Sequence, residues 1–149
     1  MANLTGNSTA EIDAPLDRVW ALVQDVESAS EWQGGLKSIQ ALERDGEGRA
    51  IRCEVETDAR VRTVKSVVRF TYDAPDTLRW TQEKGDLKSV DGSWTLEDLG
   101  AERTRATYSL EVDLGRTLGM LLRGPVVDVI RQMLVGARAG ELKKQIESA

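Results

Sequence analysis

Histidine is absent from this chain of 149 residues. That removes the commonest general base, the usual activator of a nucleophile and the imidazole metal ligand together, so serine triads, Cys-His dyads and histidine-based zinc sites are excluded. Cys53 is the single cysteine, which leaves no internal disulfide and no thiolate cluster for a metal. In a run with Ile51 and Val55 it reads as a small buried hydrophobe. No apolar run approaches the length of a membrane span, so stable membrane insertion is not expected. The opening MANLTGNSTA lacks the basic start and apolar stretch of a secretory signal, and the expected compartment is the cytoplasm. Positive charge is in deficit: twenty basic against twenty-five acidic side chains give a net charge of -5, and nucleic-acid binding is not expected. The crowd of Arg60, Arg62, Lys65 and Arg69 is read either as a solvated strand face or as a basic surface for a macromolecular partner.

What is present is the balance of a globular protein, 40% hydrophobic and 30% charged. The length suits one domain over residues 1–149 that buries roughly two thirds of the surface its unfolded chain exposes. From Ser8 to Asp13 polar and apolar residues alternate, with Ala10 and Ile12 on one side: a half-buried strand. Pro15 then opens a helix, where its missing N–H costs nothing, and Asp17 places a negative charge in the positive first turn. Leu16, Val19, Trp20 and Val23 form one apolar stripe. A second short helix from Asp25 to about Glu31 ends at Gly34-Gly35.

Between Lys37 and Asp113 short runs are divided by DGEG, DAPD, KGD and LGAE, the rhythm of an antiparallel meander. Within it Val64, Val68, Phe70 and Tyr72 share one parity, as do Leu78 with Trp80, Trp94 with Leu96, and Ala106, Tyr108, Leu110 and Val112, so one face of the sheet is apolar. After Gly124-Pro125 the period changes. Val126, Val129, Ile130, Met133, Leu134, Ala137, Leu142 and Ile146 fit one long amphipathic helix. A single sheet with an apolar face needs a cover, and only that helix is long enough to supply it.

The strand ending at IDAP, the helix containing RVWALV, the DVESASEW segment closing on Trp32, the KGDLKSVDGSWTLED hairpin and the final helix occur in an order that resembles the START/Bet v 1-like superfamily. Within it the chain is similar to the bacterial polyketide cyclase/dehydrase, or SRPBCC, group. The resemblance implies an α+β helix-grip fold: a curved antiparallel sheet of about seven strands wrapped around a long C-terminal helix, with two short helices between the first two strands. It also implies a deep apolar pocket for a lipid, polyketide or sterol-like molecule. It does not imply a reaction, because members include carriers, aromatase/cyclases, quinone-binding proteins, a ribosome-association toxin and chaperone regulators.

Phe70, Tyr72, Trp80, Trp94 and Tyr108 lie on the apolar parity, and Val129 and Met133 are expected to face them from the long helix. Such a surface can stack on a flat hydrophobic ligand with a tyrosine hydroxyl fixing its orientation, or can simply fill the core. Trp20 and Trp32 are read as packing residues. Arg52, Glu54 and Arg69 carry the outward parity, so no inward ionisable set is found of the kind that aromatase/cyclases place in their interior. No catalytic residue, metal ligand or cofactor is assigned. The leading expectation is a protein that binds a small hydrophobic molecule, with its transport as a further role. The alternatives are a polyketide cyclase or dehydratase working through tyrosine hydroxyls and water, and a module that binds a macromolecular partner. The segment LGRTLGMLLRGP, 114 to 125, is read as a mobile flap at the pocket mouth or as an extra turn of helix on the core.

Overall fold

The computed structural model describes residues 3–60 and 62–148. Seven antiparallel strands form one sheet: β1 (Asn3–Ile12), β2 (Leu36–Arg44), β3 (Ala50–Asp58), β4 (Thr63–Asp73), β5 (Thr77–Gly85), β6 (Ser89–Gly100) and β7 (Arg103–Asp113). Their spatial order is β1-β7-β6-β5-β4-β3-β2, a meander whose first strand returns to its last. The two strands nearest the N-terminus therefore lie at opposite edges. The connection between them, helix α1 (Leu16–Gln24) and a 3-10 turn (Val26–Glu31), has to cross the open side of the sheet.

That requirement explains the IDAP joint. Ile12 is fully buried, Pro15 is extended just ahead of α1, and Val19, Trp20 and Val23 turn inward. The joint is held from β7 by Thr104, a wholly buried residue whose hydroxyl donates to the Ala14 carbonyl at 2.9 Å. A hydroxyl with no access to water needs such an acceptor.

Period-two burial runs through the sheet. On β7, residues Thr104, Ala106, Tyr108 and Val112 are all buried, and on β6 so are Val90, Trp94 and Leu96. Cys53 is completely enclosed, and burial pushes its thiol up from 9.0 to about 11, so it is an unreactive core residue at neutral pH. The opposite face carries paired charge. Glu83 accepts from Arg52 and from Arg69, the latter at 2.8 Å, and Arg62 lies 3.8 Å from Asp86, so two members of the basic crowd, Arg62 and Arg69, are ion-paired at the surface.

The C-terminal helix departs from its expected course. After α2 (Gly115–Leu121), it comprises α3 (Pro125–Arg131), a π-helical stretch (Gln132–Gly136) and α4 (Arg138–Glu147). The amide of Ala137 donates to the Gln132 carbonyl at 2.9 Å, a bond spanning five residues where an α-helix spans four. A Cβ at Gly136 would meet only the flexible end of the Gln132 side chain. One residue is thus inserted into the repeat, and the face toward the sheet runs Ile130, Val135, Ala139, Leu142 and Ile146. The Ala139 amide donates instead to the Ser8 hydroxyl of β1 at 3.1 Å, which pins the helix to the sheet edge.

Candidate functional site

Between the concave face of the sheet, the α1 connection and the C-terminal helix lies a cavity of about 170 Å³. A single water needs only about 10–15 Å³ of such space, so this is room for an organic molecule. Its wall is overwhelmingly apolar. Val55, Val64 and Val68 contribute from the sheet, Leu22 and Val26 from the connection, and Leu134 from the helix. An aromatic series crosses it: Phe70 and Trp80 have ring centroids 6.0 Å apart, Trp80 and Tyr108 5.6 Å, Tyr108 and Trp94 4.9 Å, and Trp94 and Trp32 6.3 Å.

Trp80 takes its place because its register partner on β6 is Gly92. A Cβ on Gly92 would sit on Cε2, Cζ2 and Nε1 of the indole, so the absence of a side chain lets the ring lie across the neighbouring strand.

Asp25, Gln33, Thr57 and Ser66 also reach the wall, and a buried polar cluster interrupts it at Arg138. Arg138 is only 4% exposed, and its Nη1 donates to the Gly34 carbonyl at 2.9 Å and to Glu141 Oε1 at 2.8 Å. The other oxygen of Glu141 accepts the Gly34 amide at 2.8 Å, so the ion pair clamps the turn after Trp32 onto α4. The guanidinium carbon is 5.6 Å from the centre of the Tyr108 ring. Burial raises the Tyr108 hydroxyl pKa while the Arg138 charge opposes that shift, so the phenol stays protonated and acts as a donor rather than a base. Among the described residues two enclosed side-chain donors find no acceptor, Trp32 Nε1 and Arg138 Nε, and both residues belong to the cavity wall.

The seven residues singled out in the sequence separate here. Phe70, Trp80, Trp94 and Tyr108 line the cavity. Tyr72 does not: its hydroxyl donates to the Ala50 carbonyl and its ring lies beneath Arg49, 4.7 Å from the guanidinium carbon, beyond the end of the pocket. Val129 is 53% exposed on the outer side of α3. Met133 packs on the Gly34-Gly35 turn, its methyl 3.2 Å from where a Cβ on Gly35 would stand. Val129 lies ahead of the π stretch on the outer side of α3, whereas Met133 lies within that stretch and is turned away from the cavity, which Ile130, Leu134 and Arg138 line from the helix.

Trp32 and Arg138 are functional candidates that the sequence pattern passed over. Trp32 is more than a packing residue, since its ring extends the aromatic series into the cavity. A signal for Arg138 was available: Ile130, Leu134, Arg138, Leu142 and Ile146 form one unbroken row of fours, and a single arginine stands in it. The 114–125 segment forms α2 with Leu118 buried and with Leu114 and Leu122 in the cavity wall, while Met120 and Leu121 are exposed. No helix among the described residues is long and apolar enough to cross a membrane.

Comparison with known proteins places this geometry. A family model described as polyketide cyclase / dehydrase and lipid transport matches residues 12–137. No curated protein matches the chain in sequence. Among solved structures, a START superfamily protein from Mycobacterium smegmatis superposes with a TM-score of 0.81 at 19% identity, covering 97% of each chain. A protein from Thermus thermophilus gives 0.77 at 24% identity, over 96% of this chain and 98% of the other. The Zhui aromatase/cyclase of Streptomyces sp. R1128 gives 0.74 at 20% identity, over 97% and 94%. At these identities the structures establish a shared fold, the START/Bet v 1 fold, in which an open curved sheet grips a C-terminal helix.

Proposed function

Since the chain belongs to the polyketide cyclase / dehydrase and lipid transport family, we propose that it binds a small hydrophobic molecule in the cavity between sheet and C-terminal helix. The observation that carries this reading is the cavity itself. Interiors are normally packed to crystal density, and an apolar void of this size forfeits dispersion contacts along its whole wall unless something fills it. The aromatic series from Phe70 to Trp32 suits a flat molecule, which edge-on and offset rings can contact from several sides. Transport of such a molecule is the corresponding cellular role, with this chain as carrier.

Native mass spectrometry of the purified protein tests it, with a variant that fills the space. Val55 faces the cavity from β3, where a larger aromatic is compatible with strand geometry. Wild type is expected to retain an apolar molecule or to take one up in a one-to-one complex. Val55→Trp is expected to bind at least about tenfold more weakly while remaining folded, because the new indole occupies ligand space rather than packed core. Equal binding by the two proteins would place the ligand elsewhere.

A polyketide cyclase or dehydratase activity is the second reading, favoured by the buried Arg138 beside Tyr108, a pair able to hold an enolate oxygen. The Arg138–Tyr108 cluster itself supplies no base, because burial keeps Tyr108 protonated and Glu141 is committed to Arg138 and the Gly34 amide, and the remaining carboxylate of the wall is Asp25. Turnover of a linear poly-ketone that stops in Tyr108→Phe would favour this reading over simple binding.

A further inference from the structure

The surface over α2 and α3 differs in chemistry from the rest of the molecule. Five large hydrophobic side chains among the described residues are exposed, and four of them, Met120, Leu121, Val126 and Val129, belong to these two helices. Their neighbours Leu122 and Ile130 are buried and line the same cavity, so the exposed four occupy its outer side. Val126 and Val129 stand one turn apart on α3, and Met120 and Leu121 close α2. Single apolar side chains in water are ordinary, whereas a cluster of them marks a contact surface.

The charge around the cluster indicates what it meets. From Leu114 to Val127 the chain has two arginines, Arg116 and Arg123, both exposed, and no carboxylate. The acidic residues that bound this stretch are occupied: Asp113 lies 3.9 Å from Lys88 and Asp128 2.8 Å from Arg131. A shallow depression beside α2 gathers Arg62, Lys88 and Arg116, with Asp86 as the one carboxylate in its described lining. The whole chain carries -5, so this basic rim opposes the general charge of the molecule, and a negatively charged surface is attracted here and repelled elsewhere. A folded protein partner buries about 800 Å² on each side of a stable interface, far more than four side chains provide. A bilayer asks less, because apolar side chains sink to the headgroup boundary while arginines meet lipid phosphates. We infer that the tip formed by α2 and α3 docks the protein on a membrane surface containing anionic phospholipid. Met120 and Leu121 enter the interface, Arg116 and Arg123 pair with headgroup phosphates, and the cavity wall at Leu114 and Leu122 lies directly behind the docked tip.

Sedimentation with sucrose-loaded vesicles tests this without any cavity ligand, so its outcome is independent of the binding reading above. Wild type is expected to bind vesicles of equal parts phosphatidylglycerol and phosphatidylcholine at least about tenfold more tightly than phosphatidylcholine alone, as two arginines near an anionic surface provide. Molar salt, which shortens the screening length to about 3 Å, should erase that preference. Met120→Ser/Leu121→Ser should weaken binding to the anionic vesicles at least about tenfold, because two apolar side chains no longer leave water. Arg116→Gln/Arg123→Gln should remove most of the difference between the two lipids. All four residues are exposed, so unchanged thermal unfolding is expected in both variants. Leu42→Ser, at the fifth exposed apolar position, on β2, is the control and should bind as wild type does. Equal binding of wild type to the two lipids, or binding to neither, would overturn the inference, as would an equal loss in Leu42→Ser. A dimer abolished by Met120→Ser/Leu121→Ser, with no vesicle binding, would also overturn it and assign the patch to self-association.

Discussion

Arg138→Leu is expected to lower the stability of the fold by about 3 kcal/mol, the cost typical of removing one partner from a buried ion pair. The loss has two sources. Glu141 would keep its carboxylate, 24% exposed, against a leucine, and the Gly34 carbonyl would lose its only side-chain donor in the cluster. The Gly34 turn, which sets the position of Trp32, would then be released from α4. Urea unfolding of wild type, Arg138→Leu and Arg138→Met/Glu141→Gln reads this directly. The double variant should recover more than half of the loss, since a glutamine oxygen can still accept the Gly34 amide and no charge is stranded. A single-variant cost below about 1 kcal/mol would mean that the pair behaves as a surface salt bridge and the cluster is open to water.

The second large effect concerns a residue with no side chain at all. Gly92→Ala should destabilise the protein by about 1–3 kcal/mol, the range for overpacking a filled site, and should weaken ligand binding more than it weakens the fold. The new methyl group meets the Trp80 ring, so the indole must leave its seat across β6 and swing into the cavity. Gly140→Ala is the internal control. Nothing lies within 4 Å of a Cβ at that position in α4, and the same substitution there should be neutral or stabilising by up to about 1 kcal/mol. The two variants differ by one methyl group each, so opposite signs in thermal unfolding, with a changed near-ultraviolet tryptophan signal in Gly92→Ala alone, isolate the contact with Trp80. If Gly92→Ala left both unchanged, Trp80 would not be held by this register pair.

Strand parity carried most of the sheet into view from sequence. The period-two runs around Tyr108, Trp94 and Val68 are each one-dimensional signals, and a strand with one buried face obeys them whatever its neighbours do. The Pro15 helix start and the Trp20 stripe were legible for a similar reason, because capping and amphipathicity act within a few residues. The far half of the site was not. An α-helical period continued past Ile130 puts Met133 inward, whereas the π stretch makes Val135 the next buried residue. Met133 was misplaced by that stretch, Val129 lies ahead of it on the outer side of α3, and Arg138 was passed over although it stands in the row of fours with Leu134 and Leu142.

Tyr72 illustrates another limit. Its parity is right, yet the sheet extends past the end of the pocket, and residues near the β2–β3 turn satisfy the hydroxyl before any ligand can. Parity reports which face a side chain takes and not how far along the strand the cavity reaches. Trp32 was opaque for the opposite reason. It belongs to the turn between the 3-10 segment and β2, where no periodicity applies, and only the three-dimensional meeting of that turn with α4 reveals its unpartnered N–H. The chemistry of the site is concentrated in these two elements, and the sheet supplies the apolar vessel around them.

The central claim is that a flat apolar molecule occupies the interior between Trp80, Trp94, Leu110 and Leu134. The measurement that tests it most directly is the set of nuclear Overhauser contacts from the ring protons of bound 2-acetylnaphthalene to the side chains of the protein. Contacts to Trp80, Trp94, Leu110 and Leu134 are expected. Contacts confined to the exposed Met120, Leu121 and Val129, or no contacts to interior side chains under saturating probe, would contradict it.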